Sequence, residues 1–331
     1  MSFASVKSYP VSVANADIPQ AWLSSSAPRV APASKKIVVI SSQNGTQSSG
    51  GSLSFICPSG QGAGYLVSGS AYLRFTVTPT QASALSYAFK QYGSASSVIN
   101  RATLLCSGAI SEQILNYNKL YASLMLHAST PDFATSDDTI NQFTFNGAAI
   151  AANVDVCVPL LLGCLNAHQN LPLFLLNSVQ LNIDLETVAG ALMQIGANAL
   201  TDYQVSNAQL VFEQLSADSQ FEQGMKQMLA SRLYQMPINT WFNLKTSNTG
   251  AVTQSIGVNS SSIRSVLWNV VPSEIITRSG AFTSGLQTNA RVFLDGQLLF
   301  NGNLDTTTTP AISFLEMNRS LNNMFDCDHV S

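Results

Sequence analysis

The residues with the widest chemical range in this sequence are its histidines, cysteines and acidic side chains, and their spacing assembles no reaction centre. His127, His168 and His329 stand far apart in unlike contexts. A Ser/His/Asp triad cannot be built from scattered residues, and no Gly-x-Ser-x-Gly elbow occurs. Asp326-Cys327-Asp328-His329 has the residue types of a divalent-metal site. Adjacent residues of an extended chain point to opposite sides, and no second Cys/His pair lies nearby, so this tract reads as a polar terminus. Cys157 and Cys164 bracket an apolar segment and read as core. Asp137-Asp138 after Ser136 is a turn or helix-start signal, with a weak cation site in a loop as the other reading. Gly60-Gln-Gly62-Ala-Gly64 could offer backbone N–H groups to a phosphate, but a nucleotide loop needs a strand before it and a helix behind it. Tyr65-Leu66-Val67 and another strand follow, which makes this an interstrand loop. No catalytic, cofactor-binding or metal-ligating residue is expected, and no enzyme.

Composition narrows the function classes. Charged residues are 10% of the 331, against about 25% in an ordinary soluble domain. Their place is taken by Ser, Thr, Asn and Gln. A charge-poor polar surface repels copies of itself weakly and suits a protein that packs against many neighbours. Net charge is −3 and no long basic run occurs. Only the first 36 residues lean basic, with Lys7, Arg29, Lys35 and Lys36 against Asp17, too few to neutralise a nucleic-acid backbone. MSFASVKSYPVSV lacks the apolar core of a signal peptide. The longest apolar run, Val156–Leu165, is too short to span a bilayer. Cys57, Cys106, Cys157, Cys164 and Cys327 are odd in number and mostly flanked by strand-core residues, which predicts buried, reduced thiols.

The elements follow from hydrophobic period. Residues 1–35 hold Pro10, Pro19, Pro28 and Pro32 among Ser and Ala and predict an extended arm. Trp22 is its one large apolar anchor, docked either on a neighbouring subunit or back on its own domain. Eight strands are expected next: Lys36–Ser42, Ser52–Cys57, Ala71–Thr78, Val98–Cys106, Gln142–Phe145, Val154–Leu162, Val179–Glu186 and Tyr203–Leu215. In Ala71–Thr78 the alternation puts Leu73, Phe75 and Val77 on one face and Tyr72, Arg74, Thr76 and Thr78 on the other. Short helices are expected at Gln81–Phe89, at Ser111–His127 with Ser111 as cap, and at Asp218–Tyr234 with Phe221, Met225, Met228, Leu229 and Arg232 in one stripe. After Pro237, strands are expected at Ile238–Lys245, Val252–Val258, Ile263–Val271 and Arg291–Phe300, the last folded at Asp295-Gly296 into a hairpin.

This order resembles the double jelly-roll major capsid proteins of the adenovirus-like lineage of icosahedral viruses and tailless phages. Ser97–Leu105 followed by Gly108–Tyr117 looks like a strand and the segment ending in Asn-Tyr that follows it in those proteins. Leu171-Pro-Leu-Phe-Leu-Leu176 before Val179–Leu185 looks like the lead-in to a late strand of the first roll. Asn207–Leu215 with the Asp218 helix is similar to their connection between rolls, and Ile263–Trp268 to an early strand of the second. The fold class implied is all-β: a jelly-roll sandwich with two rolls side by side and few short helices. The divisions are an arm at 1–35, a first roll at 36–216, a connecting helix at 217–236 and a second roll at 237–331. About four or five strand candidates lie in the last, where a roll needs eight, so it is expected to be partial. The resemblance implies a shell protein located in the virion, partnered with itself as a homotrimer of pseudo-hexagonal outline and with minor capsid proteins. The alternative is a carbohydrate-binding, lectin-like β-sandwich. Its loops would carry aromatic platforms, which Gln43–Gly51 and Ser59–Gly64 lack.

Overall fold

Strict alternation of apolar and polar residues sets one face of a strand on a core. Ser52–Cys57 and Val179–Leu185 follow that rule residue for residue in the computed structural model of the chain. The structure describes residues 34–81, 85–90, 94–128, 150–167, 169–216, 219–229 and 236–245. Beyond these it describes only 255, 263, 274–277, 291, 293–294, 297–298 and 315.

Eight principal strands make the body: β1 (Ser34–Ser41), β2 (Ser52–Cys57), β3 (Tyr72–Gln81), β4 (Ile99–Cys106), β5 (Ala109–Ile114), β6 (Val154–Pro159), β7 (Val179–Leu185) and β8 (Leu200–Ser216). All their pairings are antiparallel. The first strand pairs with the eighth, the second with the seventh, the third with the sixth and the fourth with the fifth. Cross-pairing of β8 with β3 and of β7 with β4 completes two sheets, ordered β1-β8-β3-β6 and β2-β7-β4-β5. One long antiparallel hairpin rolled upon itself gives this topology, which is the jelly roll.

The core lies between the sheets. Leu53 and Phe55 of β2, Leu73, Phe75 and Val77 of β3, and Leu181 and Ile183 of β7 are buried there with Tyr203, Val205 and Phe212 of β8. The facing predicted for Ala71–Thr78 is the one observed: Leu73, Phe75 and Val77 point inward. Helix α1 (Tyr117–Ala128) packs against β4 and the turn Ser94–Val98. The Tyr117 hydroxyl donates to the Pro159 carbonyl and accepts from the Leu161 N–H, both at 2.9 Å. Helix α2 (Ser219–Leu229) follows β8.

Several expectations are corrected. The segment from Ser111 is not a helix start: Ala109–Ile114 is β5, and the helix begins only at Tyr117. The cause is the turn before it, where Ser107 and Gly108 at φ 52° and 82° supply the two left-handed residues of a tight hairpin between Cys106 and Ala109. Asn116 at φ 47° then breaks the strand from the helix. Gln81–Phe89 is not a helix either. β3 runs on to Gln81, and Tyr87–Phe89 pairs with Leu192–Gln194 as a short ladder. Among the described residues Ile238–Lys245 pairs with no strand, and its Thr240 and Asn243 side chains bond to the roll. The hairpin expected around Asp295-Gly296 agrees with the pairing Phe293–Leu298 and Leu294–Gln297. Gln142–Phe145, Val252–Val258 apart from Ser255, most of Ile263–Val271, Trp22 and the arm lie outside the described residues, as does the strand count of a second roll.

Candidate functional site

The glycine-rich loop forms an anion cradle, and the chain fills it itself. Gly60, Gly62 and Gly64 have φ of 81°, 84° and 60°; the amides of Gly62 and Gly64 turn toward one side, while that of Gly60 donates to the Leu173 and Leu176 carbonyls. At Gly64 a Cβ would fall 2.2 Å from the Leu215 carbonyl oxygen, so no other residue fits. The Glu222 carboxylate of α2 takes both amides, Gly62 N–H to Oε2 at 2.7 Å and Gly64 N–H to Oε1 at 3.0 Å. Glu222 is 1% exposed. The stripe Phe221, Met225, Met228 and Leu229 is only half-buried, so α2 is held by its carboxylate more than by its apolar face.

A second buried carboxylate does the same work on the loop after β6. Glu112 of β5 accepts from Gly163 N–H at 2.8 Å, Cys164 N–H at 2.9 Å and the Thr240 hydroxyl at 2.9 Å. Gly163 is obligatory, since a Cβ would meet the Asn239 carbonyl oxygen at 1.9 Å. One side chain thus joins the roll, the loop after β6 and the segment 236–245. The Asn243 amide donates to the Leu115 carbonyl at 3.1 Å alongside it.

Residues 274–277 dock through charge. Lys119 of α1 lies 2.7 Å from Glu274 and 3.7 Å from Glu186, and Lys245 lies 3.0 Å from Glu274. Glu186 also accepts from Asn118 at 3.1 Å. Lys90 Nζ donates to the Ile275 carbonyl at 2.8 Å, and Gln194 N–H to that of Ile276 at 2.9 Å. Burial pushes the Glu274 carboxyl up, but hydrogen bonds and charge from Lys119 and Lys245 outweigh it and hold its pKa below the ordinary glutamate range. Burial pulls the Lys90 ammonium down to about 8, against the opposing charge of Glu274.

None of these groups forms a reaction centre. Each carboxylate is bound by donors of the chain itself, and among the described residues no cluster of three His, Cys, Asp or Glu could hold a metal. His127 is in α1, and its side chain, His168, Asp137-Asp138 and Asp326–His329 lie outside the described residues. Cys57, Cys106, Cys157 and Cys164 are free thiols, as expected, but only Cys57 and Cys164 are buried; Cys106 and Cys157 are half-exposed. Burial pushes both buried thiols up to about 12, with Glu112 adding to the effect at Cys164. Among the described residues no helix is long and apolar enough to cross a membrane. Sequence reading passed over Glu112, Lys119, Glu186, Glu222 and Glu274. The one local trace was Gly62-Ala-Gly64, an anion cradle whose anion lies 160 residues away in the chain from Gly62.

The strand order that decides the fold has counterparts among solved structures. The PBCV-1 virus capsid in a quasi-atomic description matches 88% of this chain and 76% of its own, at TM-score 0.54 and 13% identity. The fold is the one seen in the PBCV-1 capsid. Weaker likenesses run to PBCV-1 VP54 fitted into the virophage Sputnik (TM-score 0.44, 15% identity, 62% of this chain, 48% of that one) and to the Faustovirus major capsid protein (TM-score 0.41, 9% identity, 62% and 58%). The chain therefore spans about half the length of the first of these two. No protein-family model matches the sequence, and no curated protein does.

Proposed function

We propose that this chain is a structural major capsid protein that assembles with itself into a virus shell. The observation that carries the reading is the complete first-to-eighth strand pairing, in a chain that follows the PBCV-1 capsid over 88% of its length. The unit of assembly is a homotrimer of pseudo-hexagonal outline, and the location is the virion, with minor capsid proteins as further partners. Residues 36–216 form the first roll, 217–236 the connecting helix, 237–331 a partial second roll and 1–35 an extended arm. The mechanism is geometric: a rigid upright wedge tiles a surface, and buried carboxylates such as Glu112 and Glu222 fix the parts outside the sheets to the wedge. Low charge supports the same reading, because neighbouring copies meet without large repulsion. The lectin-like alternative loses support at the Gly60–Gly64 loop, whose donors are taken by Glu222. Light scattering on the purified full chain tests the proposal. A trimer mass or larger particles support it, and a strict monomer at high concentration overturns it.

A further inference from the structure

Glu274 stands where three parts of the chain meet. Its carboxylate lies 2.7 Å from Lys119 of α1 and 3.0 Å from Lys245, and Lys90, next to the Tyr87–Phe89 ladder, also faces it. Lys119 reaches back 3.7 Å to Glu186, which follows β7. The roll thus presents Lys90, Lys119 and Glu186, residues 236–245 present Lys245, and residues 274–277 present Glu274. The Lys119 and Glu274 side chains are only 9% and 23% exposed, so salt and water screen their charges weakly. Lys245, at 54%, is the outer member.

One carboxylate therefore touches both segments that lie against the roll. The Ile275 and Ile276 carbonyls add to the hold on 274–277, accepting from Lys90 Nζ and Gln194 N–H, while Thr240 and Asn243 tie 236–245 to Glu112 and the Leu115 carbonyl. The charges are poised to reverse. With Glu274 ionised, Lys90, Lys119 and Lys245 face two carboxylates. With Glu274 neutral, the same three cations face Glu186 alone, and like charges in a half-buried place repel. Burial lowers Lys90 only to about 8, so it stays charged through the acid range. Burial opposes the Glu274 charge and the two lysines outweigh it, so the carboxyl titrates below its ordinary range. The attraction is present above that range and lost as pH falls through the folded value.

We propose that Glu274 is the pin of an acid-released clasp: while ionised it holds residues 236–245 and 274–277 on the roll as one unit, and once neutral it frees both while the roll stays folded. The contacts lie within one chain, so the clasp is tested without assembly and its failure leaves the capsid reading standing.

Three groups report on the parts separately. Cys164 reports on 236–245, because its thiol is buried and the Asn239 carbonyl lies against the neighbouring Gly163. The Gln194 N–H reports on 274–277, and Cys57 on the core of the roll. The full chain is labelled with a dipyridyl disulfide, which reacts with thiols in acid as well as at neutral pH, and read by peptide mass spectrometry beside amide exchange. At neutral pH Glu274→Gln should speed Cys164 labelling and Gln194 exchange by about tenfold to a hundredfold, the loss of charged hydrogen bonds, and leave Cys57 protected. The wild type should reach the same state in acid, with no further acid step in the variant. Lys245→Met should speed Cys164 labelling about twofold to fivefold, as befits a half-exposed ion pair, without moving Gln194. Cys164 still protected in Glu274→Gln overturns the clasp, and so does Cys57 opening with it, which would mean that the roll unfolds. An acid step at Cys164 that persists in Glu274→Gln belongs to another carboxylate such as Glu112 and overturns it too. Should Glu274→Gln fail to fold, Lys245→Met decides: unchanged Cys164 labelling refutes the coupling.

Discussion

Replacing Glu112 by alanine removes the acceptor of three donors from two chain segments outside its own sheet. Two are backbone amides, Gly163 N–H and Cys164 N–H at 2.8 and 2.9 Å, and the carboxylate is 4% exposed. Truncation leaves those amides buried, and an unsatisfied buried donor costs about 1–3 kcal/mol. The Thr240 hydroxyl can rotate toward another acceptor, so its loss is counted as small. The expected destabilisation is thus about 2–6 kcal/mol, of which Glu112→Gln recovers part by offering one carbonyl oxygen. Urea unfolding gives the total. Amide hydrogen exchange gives its location, because Gly163, Cys164 and the 236–245 segment should lose protection before β2 and β7. A Glu112→Ala protein within about 1 kcal/mol of wild type, with both amides still protected, would refute the reasoning.

Glu222→Ala should release α2 from the glycine loop: exchange at Gly62, Gly64 and 219–229 rises while the sheets keep their protection. Gly163→Ala should be as damaging as Glu112→Ala in a melting experiment, since its Cβ meets the Asn239 carbonyl oxygen at 1.9 Å; a melting point unchanged from wild type contradicts that packing. Native alkylation at pH 8, read by peptide mass spectrometry, should modify Cys106 and Cys157 first. Cys57 and Cys164, with thiol pKa pushed up to about 12, should react only on unfolding. Glu274 has a folded pKa below its unfolded value, so its contribution to docking residues 274–277 is present above the ordinary glutamate range. That contribution is lost as pH falls through the lower, folded value. Glu274→Gln should remove that acid step from a pH series of exchange at 274–277, and an unaltered step would assign it to another carboxylate.

Much of the sandwich was legible because alternation is local. β2, β3 and β7 declare their core faces in the sequence, and the order of the segments brought the jelly-roll resemblance with it. β5 was missed because Ser111 looks like a helix cap, while the deciding signal was the short turn Ser107-Gly108 just before. Glu112 and Glu222 were illegible for a different reason. Nothing around a glutamate says that it will be buried, and their donors lie 51 to 160 residues away. Lys119 likewise becomes an ion-pair centre only when residues 274–277 arrive beside it. The Ile238–Lys245 segment has strand composition, yet among the described residues it pairs with no strand, and its Thr240 and Asn243 bond to Glu112 and the Leu115 carbonyl.

Electron microscopy of the purified full chain tests the central claim most directly. A capsid subunit of this fold predicts three-fold particles with a six-sided outline, alone or tiled into shells. Uniform single-chain particles at every concentration, with no closed assembly, would contradict it.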